Sequence, residues 1–122
     1  MLLVSLGLAL IAAALGSVLA ALSFRPGLPP PAPIYGVLHG CLGAAGFVAL
    51  MLVLRGPPRG VAMGVGSFGN IAAVLLAVAL LVGLIMLALR SHARQVSGLI
   101  IGIHATIAIS GIVILAAYTL MG

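Results

Sequence analysis

The chain contains no aspartate and no glutamate. That absence excludes paired carboxylates acting as general acid and base and an oxygen cage for Ca²⁺ or Mg²⁺. It also excludes a membrane carboxylate of the kind that carries protons in pumps and coupled exporters. Charge of any kind is scarce: 4% of the residues are charged, against about 25% in soluble chains. All five cations are arginines, Arg25, Arg55, Arg59, Arg90 and Arg94, and the formal net charge is +5. With no internal carboxylate, their counter-ions are lipid phosphates, acidic groups of a cofactor, a partner subunit or solution anions. Five arginines spread over several loops make no basic face, so no nucleic-acid partner is expected. Cys41 is the only cysteine, which excludes an internal disulfide and a cysteine-rich metal site. The methionines form no thioether cluster for copper.

What the chain does have is apolar length: 65% of its 122 residues are hydrophobic. Four runs, at residues 2–22, 34–54, 69–89 and 97–120, are each long enough to cross a bilayer, which takes about 20 apolar residues. A cleaved signal peptide is the rival reading of the first run, but it wants a positively charged start, and no charge precedes the run. Between the runs lie SFRPGLPPPAP at 23–33, a Gly- and Pro-rich stretch at 56–69, and the Arg90-Ser-His-Ala-Arg94 turn. Proline runs and Gly-Pro clusters interrupt helices. Asn70 is expected to cap the third helix, and Tyr118 to anchor the fourth at the membrane interface.

The expected fold is therefore all-α: an integral-membrane, up-down bundle of four helices forming a single domain, in a bacterial-type inner membrane. Four spans place both termini on one side. The other side carries Arg25, Arg90, Arg94 and His92, against Arg55, Arg59 and the terminal amine. The positive-inside rule favours the Arg25 and Arg90/Arg94 loops as cytoplasmic. So small a bias also accommodates a dual-topology homodimer.

Two of the three histidines fall inside apolar runs. His39 lies six residues past Pro33, roughly 9 Å into its helix at 1.5 Å per residue. His104 recurs 65 positions later, and the same ungapped shift pairs Arg25 with Arg90, Gly46 with Gly111, Val48 with Val113 and Leu50 with Leu115. Both helices read H-x6-G-x-V-x-L, which suggests a tandem repeat of two-helix hairpins related by an axis along the membrane normal. Equal depth on two helices entering from the same side is the one chemical constellation in the chain. In a square bundle with sides of about 8–10 Å, the two helices lie on a diagonal of about 11–14 Å. That spacing is expected to be too wide for direct contact between the rings but to admit a flat cofactor.

The sharp reading is that His39 and His104 are axial ligands of one b-type haem iron. Gly43, Gly46 and Gly111 would let the macrocycle approach the backbone, and Arg25, Arg90 and Arg94 would meet its propionates. Bacteriochlorophyll, taking one histidine, is a variant of this reading. The plainer reading is that the histidines pack and hydrogen-bond to a carbonyl or to a hydroxyl such as Thr106 or Ser110. Gly36-x3-Gly40 and Gly98-x3-Gly102 would then be helix-packing motifs. A quinone site, a soft metal site and a substrate path are also compatible with two membrane histidines. Ser110 and His104 make no catalytic pair, being six residues apart on one helix with no acid to orient the imidazole.

In function the chain is expected to be a subunit of a larger membrane assembly or a homo-oligomer, exchanging single electrons with a quinone or a partner. The alternatives are a non-catalytic assembly subunit and a small dual-topology channel or transporter. In size it is similar to the small multidrug exporters, but those depend on a membrane glutamate. Gly66-Ser67-Phe68-Gly69-Asn70 resembles the Gly/Ser/Phe/Asn usage of small fluoride channels, without their fuller motifs.

Overall fold

The computed structural model describes residues 1–92 and 94–122. Among these it contains four α-helices: α1 (Leu2–Ser23), α2 (Pro33–Leu54), α3 (Phe68–Ser91) and α4 (Gly98–Met121). They are 22, 22, 24 and 24 residues long, or about 33–36 Å at 1.5 Å per residue, which matches a hydrocarbon core of about 30 Å. Successive helices run antiparallel, each packs on its neighbours in sequence, and α4 closes onto α1. The result is a square up-down bundle with α1 and α3 on one diagonal and α2 and α4 on the other. Large apolar side chains such as Leu81, Leu84, Ile85 and Val113 point outward, as they do where lipid rather than water surrounds a bundle. The chain is a small, multi-pass membrane protein.

Local chemistry sets the helix ends. Pro33 opens α2 at its first turn, where a missing N–H costs nothing. The Ser97 hydroxyl caps α4 by accepting from the Ile100 N–H at 3.4 Å, which places the helix start at Gly98. Asn70 does not cap α3: the helix begins at Phe68 with Ser67 at the N-cap, so Asn70 lies within its first turn. In the α2–α3 connection Gly60 and Gly64 take positive φ values of 70° and 73°. The Val65 N–H returns to the Gly60 carbonyl at 2.9 Å, which folds Val65 back to be buried against the bundle end.

The two ends of the bundle are packed differently. The half nearest the α2–α3 connection holds the core: Leu2, Ala9, Leu50, Ala72, Ala73, Ile112, Leu115 and Tyr118. Leu50 and Leu115 are wholly buried, as is Ser5, whose hydroxyl donates to the Gly46 carbonyl at 2.7 Å. Tyr118 is not an interfacial anchor. It is 3% exposed and lies over Gly69, where a β-carbon would sit 2.8 Å from the ring. The missing side chain at Gly69 is what admits the ring to the core. The opposite half, toward the α1–α2 and α3–α4 turns, encloses a cavity.

Candidate functional site

The cavity has a volume of about 380 Å³ and is walled by all four helices. Its lining follows helical periodicity: residues 13, 16, 17 and 20 on α1, 83, 86, 87 and 90 on α3, and 101, 104, 105 and 108 on α4. Spacings of i, i+3, i+4 and i+7 put each set on one helix face. α2 contributes Pro33, Gly36 and His39. Most of these residues are Gly, Ala or Ser. The hollow exists because α1 and α4 turn mostly small residues inward, and α2 and α3 add Gly36 and Gly83.

Both membrane histidines line this cavity. Each is the seventh residue of its helix, which confirms their common depth. The ring centroids are 6.0 Å apart with planes at 73°. The expectation that a diagonal keeps the rings out of reach of each other is thus corrected. Axis separation is not ring separation, since two inward-pointing imidazoles from opposite corners consume most of the diagonal.

Each ring is held by the helix before its own. The His39 Nδ1–H donates to the Ala12 carbonyl at 2.8 Å, and the His104 Nδ1–H donates to the Ala79 carbonyl at 3.0 Å. A helical carbonyl at position i points toward residue i+4, and here residue i+4 is glycine in both helices, Gly16 and Gly83. A β-carbon at Gly16 would sit 2.7 Å from His39 Cε1, and one at Gly83 would sit 3.2 Å from His104 Cε1. Glycine therefore uncovers the carbonyl one turn earlier and lets the imidazole reach it. With Nδ1 protonated, a neutral ring keeps its Nε2 lone pair free. Such a carbonyl bond is the usual second contact of a metal-bound histidine, because it sets tautomer and orientation. The hydroxyls considered as partners are otherwise engaged: Thr106 donates to the Gly102 carbonyl and Ser110 to the Thr106 carbonyl, both within α4.

The remaining residues divide. Arg90 lines the cavity at the turn end, and its Nη2 donates to Ser23 Oγ at 2.8 Å. Arg25 and Arg94 are exposed in the turns and are not on the cavity wall. Gly43, Gly46 and Gly111 are not on the wall either. Gly46 packs against the α1 backbone near Ser5 and Ala9, Gly111 against Leu75 and Leu76 of α3, and Gly43 beside Leu80. They lie one to two turns beyond the histidines, in the packed half, where their role is helix approach. Gly40 and Gly102 face open space, whereas Gly36 meets Leu87 of α3 and Gly98 meets Phe24, so neither Gly-x3-Gly pair packs as a unit against another helix. His92 closes α3 at the turn and is exposed.

Gly16 and Gly83, with Ala12 and Ala79, are the site residues that sequence reading missed. Both pairs read Ala-x3-Gly, 67 positions apart. The ungapped shift of 65 that relates the histidines steps over them, because Gly16 precedes His39 by 23 positions and Gly83 precedes His104 by 21. Among the described residues no group of three or more His, Cys, Asp or Glu is placed to hold a metal ion. No protein-family model, curated protein or solved structure matches the chain, so the chemistry of the site is read from its own residues.

Proposed function

We propose that the protein is a haem-b-binding electron-transfer subunit of a bacterial inner-membrane assembly, in which His39 and His104 would hold the haem iron. The observation that carries this reading is the histidine pair: each Nδ1 is tied to a backbone carbonyl, and both rings open on one cavity 6.0 Å apart. His39 and His104 would hold the iron through their Nε2 atoms, since Nδ1 of each ring is engaged. The donor set argues for a tetrapyrrole over a bare ion. A structural metal such as zinc takes four protein ligands, and the cavity offers two imidazoles and no thiolate or carboxylate. A haem's macrocycle would supply most of the ligands of its iron, so two imidazoles would suffice to hold it. The cavity volume falls in the range of small-molecule sites, about 300–1,000 Å³, and Met86 on its wall adapts shape easily.

When bound, haem b supplies one-electron exchange between ferric and ferrous iron, with a membrane quinone or a partner's redox centre as the other reactant. The chain's own contribution is positional. Ala12 and Ala79 hold the imidazoles in the tautomer that leaves Nε2 free. A centre near one face does not carry electrons across the whole bilayer, which is why a partner subunit is part of the reading. The turn end is proposed to face the cytoplasm.

The test is a reduced-minus-oxidised spectrum of protein purified from haem-replete cells. Haem b bands are expected. His39→Ala and His104→Ala should each abolish them, and His92→Ala should leave them intact. A spectrum without haem bands would sink the proposal. It would leave the second reading, an assembly subunit in which the two histidines staple α2 to α1 and α4 to α3 through the same carbonyl bonds.

A further inference from the structure

Arg90 is the one charged side chain on the cavity wall among the described residues. It sits two turns after Gly83 on the same face of α3, about 10 Å nearer the turn end. A guanidinium has five N–H donors and cannot lose its charge. One donor goes to Ser23 Oγ, whose own proton is given to the Leu19 carbonyl at 2.8 Å. Ser23 is thus a neutral acceptor and leaves the charge uncompensated. No Asp or Glu exists anywhere in the chain to compensate it. The cavity therefore has a defined polarity: two imidazoles at its floor, mostly small or apolar residues along its sides, and one guanidinium at its mouth.

We infer that the site selects a tetrapyrrole with free carboxylates, held carboxylate-first toward the turn end by Arg90, and discriminates against esterified tetrapyrroles of the bacteriochlorophyll type. The inference rests on the haem reading above and names the ligand class within it. A planar guanidinium pairs with carboxylate through two parallel charge-assisted bonds, and an ester offers neither the charge nor the second acceptor. Arg25 and Arg94 are exposed in the turns, where water and lipid headgroups screen them, so the selectivity resides in Arg90.

The test is a spectroscopic titration of the full chain in lipid nanodiscs with iron protoporphyrin and with its dimethyl ester. The wild type should bind the diacid at least about tenfold more tightly, the scale of one charge-assisted pair. Arg90→Gln should remove that preference while the ester still gives the His39- and His104-dependent spectrum. Arg90→Lys should retain part of the preference, and Arg94→Gln all of it. Equal affinity of the wild type for diacid and ester overturns the inference without any variant, so misfolding of Arg90→Gln does not shelter it. A preference that persists in Arg90→Gln overturns it as well. If neither porphyrin gives a histidine-dependent spectrum, the haem reading itself fails and takes the inference with it.

Discussion

At Gly16 and Gly83 a single missing β-carbon decides where an imidazole rests. The clearance is tighter at Gly16, 2.7 Å against 3.2 Å for a β-carbon at Gly83. Gly16→Ala is therefore expected to push His39 off the Ala12 carbonyl. It should cost about 1–3 kcal/mol, the usual range for overpacking, with Gly83→Ala costing less. Unfolding in mixed micelles, followed by helical circular dichroism, measures the difference, and equal costs would count against the clearance argument. An intramembrane histidine announces itself because it is polar, whereas a glycine in a chain with 17 of them does not. Its importance comes from what sits opposite.

At the scale of the helix, α2 and α4 give equal surroundings to equal positions. The histidine of each enters the cavity, Gly46 and Gly111 contact the preceding helix, Val48 and Val113 face outward, and Leu50 and Leu115 are wholly buried. Leu50→Ala and Leu115→Ala should each destabilise the bundle by about 2 kcal/mol or more through the space they leave. In lipid this loss is mainly one of packing, since the tails are as apolar as leucine. Val48→Ala and Val113→Ala should stay within about 0.5 kcal/mol, as exposed positions do. The same unfolding assay checks all four, and a valine cost matching the leucine cost would place those valines at an interface with another subunit. The pattern H-x6-G-x-V-x-L was legible in the sequence because its two occurrences are 65 positions apart without a gap. The Ala-x3-Gly partner on α1 and α3 was not, because its two occurrences are 67 positions apart and the histidines 65.

For the molecule as a whole, one half of the bundle is filled by leucine, isoleucine and tyrosine, and the other is kept open by glycine, alanine and serine. The open half ends in Arg25, Arg90 and Arg94, so orientation in the membrane decides which compartment the site faces. In a Cys41→Ser background, Gly27→Cys should be shielded from a membrane-impermeant maleimide in intact cells, and Met63→Cys should be labelled. Equal labelling at both positions would show two orientations and would favour a dual-topology homodimer over a fixed subunit.

Composition and run length were enough by themselves to determine the solvent, the class and the number of helices. In lipid every backbone polar group must be bonded within the protein, and apolar runs of about 20 residues achieve this as helices. The shared depth of His39 and His104 was equally readable, because depth in a helix is a count of residues. Only the tertiary structure decided that the rings lie 6.0 Å apart, that Ala12 and Ala79 hold them, and that Arg90 alone of the arginines reaches the cavity. Those facts depend on which face each helix turns inward. A helix that is apolar on every side carries no periodicity to reveal that face, so it emerges only when four helices pack and their small residues meet.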